Sequence, residues 1–161
     1  MGLDMYMTQK VYIGAAYKAE DRPGELEIKA PFGEVIYKIP MAKIEAVDLN
    51  FLYWRKANAI HKWFVDNVQN GVDDCGNYLI DEEMLEKLYR DLTKAILSQD
   101  ATIIPPTEGF FFGGAEVDDY YWGELKRTLE NIKPIIDERK KPYDEQDRLI
   151  RSSDFYYHSS W

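Results

Sequence analysis

Apolar residues recur at helical spacing most strongly between Tyr53 and Asn70. At 100° per residue Trp54, Ala57, His61, Phe64, Val65 and Val68 share one face. Arg55, Asn58, Lys62 and Gln69 form a polar strip along one edge, while Ile60, Trp63 and Asn67 widen the other. The apolar arc is too broad for a helix covered on one side only. The spacing therefore predicts a helix entered near Tyr53, with Asn50 as its N-cap and more than one side buried. Two further helices are expected. Asp81 precedes Glu82, Glu83 and an apolar stripe of Leu85, Leu88, Tyr89, Leu92, Ala95 and Ile96, which predicts a capped helix over 82–98. Asp118 can cap a third, with Tyr121, Trp122, Leu125, Leu129, Ile132 and Ile136 inward. Pro134 falls on its outer side, where it should kink or shorten the helix.

Elsewhere the period drops to two. Leu3, Met5 and Met7 alternate with Asp4, Tyr6 and Thr8, predicting a strand over 3–13. Gly14 to Gly24 reads as a loop. Leu26–Ala30 and Glu34–Ile39 read as a hairpin turning at Pro31-Phe32-Gly33, and residues 42–49 as another, less regular strand. Gly109–Gly114, with three phenylalanines in a row, reads as a buried strand closed by a Gly-Gly turn. Residues 72–77 form a polar loop, and 137–151 a charged surface connection. Asp154–Trp161 is an aromatic terminal strand of the kind normally tied into a sheet. Strands, then helices, then a strand give an α+β fold: an antiparallel sheet of about four to five strands packed against three helices, in a single domain over 1–161.

Composition narrows the class. A chain of 161 residues, 45% hydrophobic and 30% charged, is in the globular range and can bury a core without covalent staples. The lone Cys75 leaves no internal disulfide and fits a reducing compartment. No apolar run reaches the ~18 residues of a membrane span, and no basic stretch precedes an apolar leader. The opening Met1-Gly2-Leu3-Asp4-Met5-Tyr6 lacks the Ser or Thr of a myristoylation signal at position 6. A cytoplasmic protein with no membrane partner is expected. The formal net charge is −9, and residues 71–119 alone carry that excess. Duplex-binding proteins need the opposite bias, so non-specific duplex nucleic acid is not an expected partner.

The candidate chemistry centres on His61. One reading makes it a general base or phosphate-facing acid, with Arg55 and Lys62 holding an anion and Asn58 one turn before it. The other packs it in the core, satisfied by a backbone group or a Tyr hydroxyl. Asp73 and Asp74 could join His61 or His158 around a ligand or divalent cation. Adjacent loop aspartates more commonly bond nearby N–H groups, so neither a metal nor a cofactor is expected. Cys75 would need His61 as its base to serve as a nucleophile, and an inert thiol is the simpler expectation. The three phenylalanines could stack a base, but without the Lys-Ser or Lys-Thr of a phosphate loop.

Four segments together resemble a known family. Met1-Gly2-Leu3-Asp4-Met5-Tyr6, the central Tyr53-Trp54-Arg55-Lys56-Ala57-Asn58-Ala59-Ile60-His61-Lys62-Trp63-Phe64, Asp73-Asp74-Cys75 and Gly109-Phe110-Phe111-Phe112-Gly113 are similar to a family of small proteins common in phages and prophages of Gram-positive bacteria. The segments cover roughly a third of the chain, and residues 14–42 depart from the pattern. The resemblance implies no reaction. It implies an accessory phage protein in a bacterial cytosol that interferes with host processes or defence. Two functions are therefore expected in competition. The first is a protein that binds and inhibits a host protein bearing a basic surface, through an acidic face with Glu82, Glu83, Glu86, Asp118 and Asp119. The second is a small nucleotide- or phosphodiester-directed enzyme or ligand-binding protein, with His61 and Arg55 catalytic and Asn58, Lys62, Asp73 and Asp74 binding. Whether the chain is an enzyme, and its oligomeric state, stay open at this point.

Overall fold

The computed structural model describes residues 2–12, 24–31, 33–109, 114–141 and 153–161. Its elements run β1 (Asp4–Tyr12), β2 (Glu25–Lys29), β3 (Val35–Pro40), β4 (Ala46–Arg55), α1 (Asn58–Asn67), β5 (Tyr78–Ile80), α2 (Glu82–Ser98), α3 (Asp119–Arg139) and β6 (Ser153–Ser160). Four strands make an antiparallel sheet in the order β4-β1-β6-β5, and β2 and β3 make a separate two-stranded ribbon. With three helices, this is an α+β fold. No helix among the described residues is long and apolar enough to cross a membrane.

The alternation in β1 works as expected. Leu3, Met5 and Met7 are fully buried beneath the helices, and their partners across β4, Trp54 and Leu52, are buried with them. On β6 the same face carries Phe155 and Tyr157. Trp54 meets Phe64 of α1 at 6.0 Å between ring centroids, and its indole N–H donates to Thr128 Oγ1 of α3 at 2.8 Å. Helices α1 and α3 thus lie on the sheet. Helix α2 is tied to α1 by Trp63, whose indole N–H reaches Asp91 at 2.9 Å.

The largest correction concerns where the central helix starts. Residues 46–55 are strand β4, Asn50 lies inside it opposite Thr8, and α1 begins only at Asn58. β1 has an edge to fill, and Phe51, Tyr53 and Trp54 are good strand formers, so cross-strand pairing overrides the helical period. Trp54 faces inward in either arrangement, which is why the wheel placed it correctly for the wrong reason. The irregular alternation at 42–49 also has a cause. The β1–β4 register slips between Met7 and Thr8, leaving Phe51 and the next residue, Leu52, both against the core. The strand expected over 42–49 therefore starts at Ala46, after a 3₁₀ turn at Met41–Lys43.

Other expectations fare differently. α2 starts and stops at 82 and 98, with Asp81 accepting from the Met84 N–H at 2.7 Å. α3 is capped by Asp118 and runs through Pro134 to Arg139, so the proline does not shorten it. The proline lies on the exposed side. β5 was not expected, since three residues are too few to display a period. Of the loop expected over Gly14–Gly24 only Gly24 is described, and the residues Phe110–Gly113 of the expected buried strand and 142–151 of the expected charged connection lie outside the described residues.

Candidate functional site

His61 sits on the fourth residue of α1, where the chain has just left β4. Lys56 makes that turn with φ 58°, its N–H donating to Leu3 O at 2.8 Å, and the His61 N–H closes the first helical bond to Ala57 O. This entry aims the imidazole at β6. Phe64, one turn on, stacks on the Tyr157 ring at 4.0 Å between centroids and 9° between planes. The stack holds the Tyr157 hydroxyl 2.7 Å from His61 Nδ1. On the other side of the ring, His61 Nε2 lies 2.9 Å from Asp73 Oδ2. The second oxygen of Asp73 accepts from the indole N–H of Trp161 at 3.2 Å.

These contacts have one consistent direction. In the neutral imidazole, a hydrogen on Nε2 donates to the Asp73 carboxylate and leaves Nδ1 to accept from the Tyr157 hydroxyl. Burial pushes the Tyr157 hydroxyl well above its usual range, and the charge of Asp73 adds to the shift, so that proton stays in place. The chain from Tyr157 through His61 and Asp73 to Trp161 thus has each of these donors matched to an acceptor. His61 is only 1% exposed and Tyr157 fully buried, which leaves no room for a reacting atom at either nitrogen or at the hydroxyl.

The neighbours named with His61 in the sequence do not gather around it. Arg55 ends β4 opposite Asp4, exposed, and its carbonyl accepts from the Tyr120 hydroxyl. Lys62 pairs along the helix with Asp66 at 2.6 Å. Asn58, expected on a polar strip, is buried; its amide donates to Gly114 O at 2.7 Å and accepts from the Thr107 N–H at 3.3 Å. It ties Thr107 and Gly114 to the start of α1. Gln69, from the same expected strip, is buried as well.

Asp73 and Asp74 part company. Asp73 turns in to His61, whereas Asp74 bonds its own loop through the Gly76 N–H at 2.8 Å and the Tyr78 hydroxyl at 2.9 Å. Cys75 between them and Gly76 adopts φ 57° and is exposed. A Cβ on Gly76 would fall 2.6 Å from the Tyr78 ring and 2.8 Å from Asp74 Oδ1, so a larger residue there would push on the Asp74–Tyr78 contact. Among the described residues no three His, Cys, Asp or Glu side chains are placed to hold a metal ion.

The acidic residues divide into two groups. Glu82 and Glu83 occupy the first turn of α2, where Arg139 from the end of α3 comes within 3.9 Å of Glu82. α2 and α3 are therefore antiparallel. Asp118 and Asp119 lie at the far end of the pair, about 25 Å away along a 17-residue helix. Glu86 stays with the first group and pairs with Arg90 at 3.5 Å.

Tyr157 and Trp161 were not singled out in the sequence. Alternation in the terminal strand could have marked Tyr157 as inward, but nothing local ties it to a histidine 96 residues earlier. Comparison with family models, curated proteins and solved structures gives no match for this chain.

Proposed function

We propose that the protein is a non-enzymatic binding protein that docks on another protein: in keeping with the phage resemblance, a protein of the bacterial host. One observation carries this reading: the histidine on which an enzyme would depend is itself buried and bonded to Tyr157 and Asp73, Asn58 and Lys62 are engaged elsewhere, and Arg55 lies exposed at the end of β4.

The docking end is the one from which the β2–β3 arm projects. Leu26 pairs across from Ile39 and Ile28 from Tyr37, so these four share one apolar face of the ribbon. Glu25, Glu27 and Lys38 form ion pairs on the other. Leu26, Ile28 and Tyr37 are exposed, Tyr37 by 62%. A two-stranded ribbon has marginal stability by itself, and exposed apolar side chains of this kind mark interaction surfaces. The arm joins the sheet where Tyr12 pairs with Ala46; Val11 pairs on its other side with Ser153, and Ile80 with Phe155, two positions along β6. Asp81 and the start of α2 follow Ile80 directly, so Glu82, Glu83 and Glu86 flank the same end. An apolar patch beside an acidic helix start suits a partner whose apolar contact is rimmed by Lys or Arg. Asp118 and Asp119 lie away from this end and are not part of the contact.

The test compares two sets of variants for capture of host proteins. Ile28→Asp with Tyr37→Asp should reduce capture at least tenfold with an unchanged circular dichroism spectrum. Reversing Glu82, Glu83 and Glu86 to Lys should slow association and flatten its salt dependence. Capture that ignores both sets would end this reading. So would turnover of a nucleotide or phosphodiester by the wild type that a folded His61→Gln variant lacks.

A further inference from the structure

The sheet face turned away from the helices carries side chains that the binding end does not use. Cross-strand pairing sets them out as a grid. Tyr6 lies between Tyr53 and His158, Thr8 between Asn50 and Tyr156, and Lys10 between Asp48 and Asp154. A groove of about 760 Å³ runs over this grid and is bounded at one side by Asn77. Such a volume falls in the range of small-ligand sites.

The chemistry of the grid is specific in what it omits. Among the described residues that line the groove the one cation is Lys10, which has a carboxylate on each flank, so they offer a phosphate or carboxylate ligand no net positive charge. Those residues make no continuous apolar lining for a lipid chain or an apolar helix. What remains is a set of rings, Tyr6, Tyr156 and His158, interleaved with the donors and acceptors of Thr8, Asn50 and Asn77. Tyr6 stands edge-on to the His158 ring at 4.9 Å and 90°, which fixes both rings. Nδ1 of His158 is shielded from solvent without a hydrogen-bond partner. That nitrogen faces the protein, so the ring offers the groove its edge and face and not Nδ1.

We infer that the open face of the sheet binds a neutral, hydroxyl-rich ligand, a short oligosaccharide, with sugar faces laid on Tyr6 and Tyr156 and hydroxyls bonded by Asn50, Thr8 and Asn77. From Tyr6 to Lys10 the face is about 14 Å long, which suits two or three sugar rings in line. The inference is independent of the protein-docking end, because the arm and the start of α2 contribute nothing to the groove.

The test is an array of neutral glycans, followed by titration of the ¹⁵N-labelled full chain with the strongest binder and observation of its amide resonances. Shifts should be confined to β1, β4, β6 and the loop residues around Asn77. Tyr156→Ala and Asn50→Ala, both on the open face, should each weaken binding at least tenfold without changing the thermal midpoint, and Tyr37→Asp on the arm should leave it unchanged. Affinity should stay constant between about 50 and 500 mM NaCl, since no charge is neutralised. Failure of every neutral glycan to bind overturns the inference, as do shifts centred elsewhere. Preferential binding of adenosine monophosphate, or of a Lys-rich peptide with strong salt dependence, would also overturn it and reassign the face to an anion or a protein. The docking reading would survive each of these failures.

Discussion

The two faces of the sheet use the same few residue types to opposite ends. Tyr157 and His158 are neighbours on β6, yet Tyr157 points under the helices to His61, and His158 points away from them to Tyr6. On the covered face Tyr157, His61, Asp73 and Trp161 are bonded in a row that links β6, α1 and the 68–77 loop. On the open face tyrosines, a histidine and amides stand beside a groove. Coverage, more than residue identity, decides which histidine is structural and which is available. A histidine amid aromatic residues is thus poor evidence of catalysis until its exposure is known.

Breaking the covered face should have the largest effects. Phe64→Ala removes the stack on Tyr157, and Trp54→Ala removes a fully buried indole; each should cost about 3–5 kcal/mol in urea unfolding. Tyr156→Ala on the open face should stay within about 0.5 kcal/mol of wild type. Equal costs on the two faces would contradict the contrast.

His61→Gln comes next. Glutamine cannot span both Tyr157 and Asp73 with the imidazole's geometry, so one buried partner is left unmet, at about 1–3 kcal/mol. Arg55→Lys, at the exposed end of β4, should be nearly silent in the same melts. Any activity lost in Arg55→Lys with the fold intact would reopen the catalytic reading.

Alkaline titration sharpens the comparison. Below about pH 10 the folded and unfolded chains both hold the Tyr157 proton. Above that, the unfolded chain releases it while the folded chain, whose hydroxyl is shifted upward by burial, retains it. Stability should therefore fall as pH rises, by up to about 1.4 kcal/mol per pH unit from this group, until the folded hydroxyl ionises too. Tyr121, buried and pushed up to about 12 with its hydroxyl donating to Ile104 O, acts in the same direction. Tyr157→Phe should flatten the slope measured by urea midpoints between about pH 10 and 11. An unchanged slope would show that Tyr157 is not sealed. The smallest expected effect is kinetic: raising salt should slow association with a basic partner by severalfold and leave the unfolding midpoint in place.

Much of the scaffold could be read from local pattern. The alternation of β1 and β6, the hairpin pairing of β2 with β3 and the Asp81 and Asp118 caps are all short-range signals, and they survive in the structure. The entry to α1 could not be read, because the competition between a helical period and an empty sheet edge is settled by β1, some fifty residues earlier in the chain. The site was legible in part. His61 and Asp73 stood out by chemistry, and a Tyr hydroxyl was one of the partners expected for a packed histidine. Which tyrosine it is depends on β6 lying beside β1, information held at the other end of the chain. Asp73 and Asp74 are indistinguishable as letters; the positive φ at Cys75 and the tight turn at Gly76 direct one inward and let the other close the loop.

The central claim is that His61 acts as a structural link, and the most direct measurement is a double-mutant cycle between His61→Gln and Tyr157→Phe in urea unfolding. The account predicts that the two substitutions are strongly non-additive, with a coupling of about 1 kcal/mol or more, because either one already breaks the same buried bond. Two costs that add within about 0.3 kcal/mol, the behaviour of independent sites, would contradict it.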